Sequence, residues 1–400
     1  MSSVRRLCVV THVIHYVHEG RLYAYGAYAR EIEAWARLFP EVVLAAPRSD
    51  EPPPGEARAL AADNITLDPQ PSWGGVGLGA KIRGALKVPV AAVGLWATAR
   101  RCDALHIRCP GNLGLLAALL GRLLARRRVA KYAGQWGHYE GEPATFRFQR
   151  WLLRSRWWGA PVTVYGTWPG QPPHVVPFFT SMLDDAQIRR GVEVASARPH
   201  GAPRARILFV GRLTPQKNTD VLLRAVASLD SADPVEVTLV GDGPERGRLQ
   251  QLARELGLEG RAHVVGGVPF ERVLDAYASH DVLVLPSQTE GWPKAIAEAM
   301  TFGLVCVGPD RGMVPEMLGE GRGFVVPPGD ETSLAALLGD ILRRPEVTAG
   351  VGARASSWAS RHSLPELEDS LRRLLSTCWR VDLAASPTGG EPPSRQERAP

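Results

Sequence analysis

The feature that most limits what this chain can fold into is its rhythm. Short runs rich in Val, Ile and Leu, ended by turn-forming residues, alternate along the chain with longer amphipathic stretches. In the first half the short runs are RLCVVTHVI (6–14), EVVLAA (41–46), ALHIR (104–108), RVAKYAG (128–134) and PVTVYG (161–166). Helical patterns fill 25–38, 79–100, 112–126 and 144–158. The second half repeats the theme with RILFVG (206–211), EVTLVG (236–241), AHVVGG (262–267), VLVLPS (282–287) and LVCVGP (304–309). Runs that are apolar at successive positions need cover on both faces, so each set predicts a parallel sheet with helices on either side. The fold class is α/β, with two doubly wound, Rossmann-like domains facing a cleft. At 400 residues the chain exceeds a single typical core, which agrees with two domains.

The expected boundaries are 1–194 for the first domain, 195–205 for a linker (ASARPHGAPRA), and 206–362 for the second domain. A final helix covers 363–382, and the polar tail 383–400 should be disordered. Open parallel sheets bind ligands outside the carboxyl ends of their strands, so the chemistry is expected in the cleft between the domains.

Charge and cysteine content narrow the function. Forty-seven Lys and Arg against 41 Asp and Glu leave +6, too weak an excess to argue for nucleic acid and compatible with an anionic small ligand or membrane surface. The five cysteines (Cys8, Cys102, Cys109, Cys306, Cys378) lack any pairing or zinc-binding spacing, which suits a reducing, cytoplasmic compartment. The opening apolar run is too short for a signal peptide, and GNLGLLAALLGRLLA (111–125) is too short to span a bilayer. In TFRFQRWLLRSRWWG (145–159), arginines interleave with aromatics. That pattern suits a helix docked on the sheet with a solvated face, and it also suits a peripheral contact with the inner face of a membrane.

Two segments carry candidate chemistry. In GRLTPQKN, Gly211 ends a strand, and Arg212 and Lys217 follow in the loop. A guanidinium fork and a mobile ammonium together can neutralise a diphosphate, although two solvated loop cations would look the same in sequence. VGDGPERGRL lacks the third glycine of a dinucleotide fingerprint because Arg246 stands there, so Gly241 and Gly243 read as a tight turn. In LPSQTEGWPKAIAEAM (285–300), Gly291 loosens the backbone and Pro293 suits the first position of a helix. The free amides of that helix start attract phosphate or sugar oxygens. Glu290 then lies at the mouth and Glu298 deeper, in a helix otherwise apolar, where a carboxylate without a partner would be costly. Each could accept hydrogen bonds from vicinal hydroxyls.

With FVGRLTPQKNTDVLLRA, LVGDGPERGRL, DVLVLPSQTEGWPKAIAEAMTFGLVCVGPDRGMVPEML and GFVVPPGD in that order, the region 205–360 resembles the retaining GT-B glycosyltransferases of family four, the group 1 glycosyltransferases. The resemblance implies that Arg212 and Lys217 grip the diphosphate of a nucleotide-sugar, that Glu290 contacts the donor sugar and that Glu298 binds the ribose. It places Gly211 and the backbone of Gly291, Trp292, Pro293, Lys294 and Ala295 around the donor. It further implies transfer with retention, no tightly bound cofactor and no metal, and a last helix that returns to the first domain. Acceptors in this reading are glycans, lipid-linked sugars or small molecules.

The first domain departs from that pattern. A glycine pair is expected in the first strand-to-helix loop, yet this chain has single glycines, Gly20 and Gly26. The spacing of His12, His15 and His18 puts neighbours on opposite faces, so no metal site is expected there. The histidine usual after a middle strand is displaced, which leaves Gln135 or His138 to take the polar contact near the reacting carbon. These departures leave two other readings open, a catalytically silent nucleotide-sugar-binding partner and a nucleotide-sugar epimerase.

Overall fold

The computed structural model describes residues 4–73, 78–139, 141–198, 206–229, 235–348 and 350–383. In chain order the first half runs β1 (Arg6–Val10), β2 (His15–His18), β3 (Arg21–Tyr25), α1 (Gly26–Ala36), β4 (Glu41–Ala46), β5 (Arg48–Ser49), β6 (Ala57–Ala59), β7 (Ile65–Pro69) and α2 (Leu78–Ala99). It continues with β8 (Ala104–Cys109), α3 (Asn112–Leu124), β9 (Arg127–Tyr132), α4 (Ala144–Arg154), β10 (Val162–Tyr165), β11 (Val175–Phe178) and α5 (Asp185–Ala197). Seven of these strands form one parallel sheet in the order β11-β10-β9-β8-β1-β4-β7.

The period of two in β1 explains why its sequence is apolar throughout. Leu7 and Val9 enter a core with Ile32 and Trp35 of α1, whereas Cys8 and Val10 enter a second core with Leu95 of α2, Ala117 of α3 and Leu153 of α4. Both faces of the sheet are therefore covered.

The second half runs β12 (Arg206–Val210), α6 (Thr219–Ala227), β13 (Glu236–Val240), α7 (Arg246–Glu255), β14 (Ala262–Gly266), α8 (Phe270–Ser279), β15 (Val282–Val284) and α9 (Lys294–Thr301). It ends with β16 (Val305–Pro309), α10 (Val314–Leu318), β17 (Phe324–Val326), α11 (Glu331–Arg343), α12 (Val351–Ala359) and α13 (Leu364–Trp379). Its six strands are all parallel in the order β14-β13-β12-β15-β16-β17. Two helices cross between the halves. Gly191 of α5 packs against Thr301 and Phe302 of the second half, and α13 sends Leu367, Leu371 and Trp379 into the core beside α1.

Several elements differ from the sequence expectation. The first strand stops at Val10, and the chain leaves the sheet to build a small four-stranded one, β5-β2-β3-β6. There His15 is fully buried and His18, three residues on, is partly exposed, the opposite-face placement that extended backbone dictates. The weak strands β7 and β11 and the polar helix α5, whose one fully buried residue is Gly191, carried too little periodicity to be read. Helix α4 ends at Arg154, so Trp157 and Trp158 follow it in a turn, Trp158 in the core and Trp157 outside. The presumed linker begins inside α5, and its residues 199–205 lie outside the described residues, as does 384–400. Leu383, assigned to the tail, is buried in the first core. All five cysteines are free thiols.

Candidate active site

The β12–α6 loop and the β15–α9 loop meet at the carboxyl end of the second sheet, and backbone contacts fasten one to the other. The Gln288 amide donates to the Gln216 carbonyl at 2.9 Å, and the Asn218 side chain donates to the Pro286 carbonyl at 3.1 Å. This brings Lys217 Nζ to 2.5 Å from Glu290 Oε1, a direct ion pair between residues 73 apart in sequence. Glu290 is almost fully buried and Lys217 partly so, an arrangement that leaves the ammonium accessible from the cleft. Arg212 projects differently. It is more than half exposed and lies 3.8 Å from Glu56 of the first half, across the cleft. Lys217 is thus locked to Glu290, while Arg212 faces Glu56 on the opposite wall.

Glycines explain how the loops hold their shape. A Cβ on Gly241 would fall 1.9 Å from the Gly211 carbonyl oxygen, and one on Gly243 would fall 2.3 Å from that of Leu213. VGDGP is therefore a turn packed under the Gly211–Leu213 backbone. Gly312, which the sequence did not single out, has φ +60°, and a Cβ there would lie 1.6 Å from the Glu290 carbonyl oxygen. That loop fixes the backbone that carries Glu290.

At the start of α9, Pro293 is the capping residue, one position earlier than expected, and Lys294 is the first helical residue. Gly291 abuts the first half closely enough that a Cβ would meet Tyr165 at 3.0 Å and the Gly134 carbonyl carbon at 3.1 Å. Trp292 turns its ring into an aromatic cluster with Tyr165, Phe179, Trp358 and His362, so only its backbone faces the loop. Lys294 donates to the Ala27 carbonyl of α1 at 3.1 Å, and desolvation lowers its pKa. Ala295 follows on the same first turn.

Glu298 is buried one turn deeper and accepts a hydrogen bond from Tyr277 Oη at 2.8 Å. Burial pushes its carboxyl up to about 7, against the opposing pull of Tyr277 and Lys294. A narrow pocket beside it is closed by Thr180, Ser181, Met182 and Leu183 on one side and Lys294 and Glu298 on the other.

The first half separates the two residues that the sequence left as alternatives. Gln135 is buried, directly after the Gly134 that touches Gly291, and its Oε1 has no partner. His138 is largely exposed, and its ring nitrogen lies 2.9 Å from Glu142, itself paired with Arg150 at 2.9 Å. Gln135 thus lies buried next to the contact with the second half, while His138 is held at the surface by Glu142.

Sequence reasoning missed a buried charged cluster behind this loop. Glu31 of α1 pairs with Arg108 at the end of β8, accepts from Lys131 Nζ of β9 at 2.7 Å and accepts from Thr180 Oγ1 at 3.4 Å. Desolvation works to raise the Glu31 pKa, but Arg108 and Lys131 overcome it and hold the carboxyl well below the usual range. Burial pulls Lys131 down to about 8 despite Glu31. The signal was present in ALHIR and RVAKYAG, where a cation interrupts a strand with no exposed face and so requires a buried partner. Among the described residues, no group of three or more His, Cys, Asp or Glu is placed to hold a metal ion.

Two parallel-sheet halves facing one cleft, with helices exchanged between them, define the GT-B class of glycosyltransferase folds. HepE of Anabaena, solved in complex with UDP and glucose, superposes with a TM-score of 0.66 over 94% of this chain and 100% of its own, at 18% identity. Sucrose-phosphate synthase of Thermosynechococcus elongatus does so with a TM-score of 0.68 over 94% and 99%, at 17% identity. At the family level, residues 196–358 match the model of glycosyl transferases group 1. D-inositol 3-phosphate glycosyltransferase of Streptomyces scabiei (strain 87.22) is 33% identical over 197 residues, 44% of each chain. The GDP-mannose-dependent alpha-(1-6)-phosphatidylinositol monomannoside mannosyltransferase of Mycolicibacterium smegmatis (strain ATCC 700084 / mc(2)155) is 30% identical over 162 residues, 38% of this chain and 42% of that protein. The chain spans less than half the length of these two curated relatives.

Proposed function

We propose that this protein transfers a sugar from a nucleoside-diphosphate sugar to an acceptor hydroxyl, with retention of anomeric configuration. The observation that carries the reading is the Lys217–Glu290 ion pair at the carboxyl end of the second sheet, with Glu298 buried in the helix that starts beside it. An ammonium at its mouth can take the charge of a departing diphosphate, in the role that preorganised cations play in leaving-group stabilisation. Glu290 orients that ammonium and offers an oxygen to a sugar hydroxyl, while Glu298, ionised or protonated near neutral pH, can bond the vicinal hydroxyls of a ribose. Arg212, reaching across from the same loop, supplies a second cation when the cleft narrows on donor. In this reading the basic pair stands in the place a divalent cation would otherwise take. Gln135, which follows the Gly134 that meets Gly291 and lacks a partner for its carbonyl oxygen, is the group that would supply a polar contact from the first half.

The acceptor is proposed to be a glycan, a lipid-linked sugar or a small molecule, in a cytoplasmic setting that includes polysaccharide or glycolipid assembly. One observation favours a second reading, a nucleotide-sugar-binding partner without turnover: His138 is engaged by Glu142 and not by the donor loop. Purified protein incubated with UDP-, GDP- and dTDP-sugars separates the two. Nucleotide release with one donor, and a product whose anomeric proton keeps the donor's configuration by NMR, is the expected result. Binding of a donor without release over the whole panel, with and without a lipid extract, would transfer the weight to the silent partner.

A further inference from the structure

Helices α2, α3 and α4 pack side by side on one face of the first sheet, their inward residues filling the core around Leu95, Ala117 and Leu153. Their outward sides are not those of water-facing helices. Helix α2 exposes Leu86, Val90 and Val93 at helical spacing, with Trp96 after them; Leu86 is 73% and Val93 67% exposed. Leu123 of α3 is 74% exposed, and Trp151 of α4, 62% exposed, stacks on Phe148 at 5.6 Å. Single exposed apolar residues are ordinary, but an apolar surface shared by three adjacent helices marks an interaction face.

The charge on that face is one-sided. Between residues 69 and 183 the chain has fifteen Lys and Arg, of which Arg108, Arg128, Lys131 and Arg150 are buried, and only three acidic residues, Asp103, Glu140 and Glu142, although the whole chain carries an excess of only +6. Helices α2, α3 and α4 contain no Asp or Glu at all. Asp103 is occupied by the backbone amides of Arg5 and Arg6, each at 2.9 Å, and Glu142 is enclosed by Arg150 and His138. Neither neutralises the surface. Exposed arginines frame it, Arg100 lying over the Trp96 ring and Arg122 over Trp157, with Arg126, Arg147, Arg154 and Arg156 beyond.

We infer that this face docks on an anionic lipid bilayer, with the α2 stripe, Leu123 and Trp151 entering the headgroup boundary and the arginines on lipid phosphates. Aliphatic side chains beside Trp and Arg suit a lipid interface, where apolar burial and attraction to anionic headgroups add. A nucleic acid would leave the Leu and Val side chains without a partner, and a second copy of so uniformly basic a face would be repelled. No helix among the described residues is long and apolar enough to cross a membrane, so the contact lies in the plane of the surface. It holds whatever sugar or acceptor the cleft takes, because no residue of the cleft takes part in it.

Flotation of the full chain with vesicles tests the inference. Vesicles of phosphatidylcholine with phosphatidylglycerol should bind at least about tenfold more protein than phosphatidylcholine alone, and high salt should reverse the difference. Val90→Glu with Trp151→Glu, and separately Arg122→Gln with Arg126→Gln and Arg156→Gln, should each cut binding about tenfold or more. All are at exposed positions, so melting temperature and nucleoside-diphosphate binding should stay as in the parent. Equal binding to both vesicle types, or undiminished binding in both variants, would overturn the inference. So would protein that ignores vesicles but binds a DNA duplex, or that forms a dimer which the Glu variant dissolves.

Discussion

The two walls of the cleft are built on opposite principles. The second-half wall is shaped by backbone: Gly241, Gly243 and Gly312 sit where a Cβ would strike a carbonyl oxygen, and the result is a pair of loops that hold Lys217 against Glu290. The first-half wall is shaped by side chains: Glu31, Arg108 and Lys131 are buried together behind Gln135, with Lys294 reaching over from the other half to the α1 backbone. A wall made of backbone demands particular residues at fixed spacing. A wall made of paired side chains can be rebuilt with other pairs.

The largest effect expected lies on the side-chain wall. Glu31→Ala would leave Arg108 and Lys131 buried without a counter-charge, a loss of about 3–5 kcal/mol that chemical denaturation of the first half would report. Glu31→Gln, which keeps the shape and one accepting oxygen but not the charge, should lose nearly as much; a small loss in both would mean that the pairing matters less than the packing.

On the backbone wall, Lys217→Ala should lower the rate of nucleotide release about 10²–10³-fold at saturating donor while leaving the melting temperature near that of the parent, because Lys217 is partly exposed. Equal activity would detach the ion pair from the chemistry.

Glu298→Gln sharpens the comparison through pH. Burial raises the carboxyl from its ordinary value of 4.5 to about 7, so between those values the folded chain holds a proton that the unfolded chain has released. Stability from this group is therefore whole below about pH 4.5 and declines as pH rises towards 7. At pH 8 the Gln variant should be the more stable by up to about 3 kcal/mol, with the difference shrinking at pH 5, even as donor binding weakens. Parallel melting curves at the two pH values would contradict the burial of an ionisable Glu298.

The smallest effect separates Gln135 from His138. Gln135→Ala, at the contact with the donor loop, should cost about tenfold in kcat, whereas His138→Ala should change it less than about twofold, since its ring is exposed and tied to Glu142. The reverse order would place His138 in the cleft during turnover.

How much of this was legible follows from the same contrast. Both parallel sheets could be read because their strands are apolar at successive positions, and Lys217, Glu290 and Glu298 could be read because a carboxylate in an apolar helix and cations after a strand are locally conspicuous. The hairpin of β2 and β3 could not, because its alternation is broken by histidines and tyrosines that pack sideways, as His15 does on Tyr28. Gly312 was invisible because its need arises from Glu290, distant in sequence. Spacing alone put Arg212 and Lys217 in one loop, whereas the partner each takes, Glu56 and Glu290, is set by packing with distant segments. Glu31 met Arg108 and Lys131 only through tertiary packing, over separations of 77 and 100 residues.

The most direct test of the central claim, that the two second-half loops form a nucleoside-diphosphate site, is a calorimetric titration of UDP and GDP into the parent, Lys217→Ala and Glu298→Ala proteins. One of the two nucleotides should bind the parent at a single site, and each substitution should weaken it about tenfold or more. Failure of both nucleotides to bind the parent, or affinity unchanged in both variants, would contradict the claim.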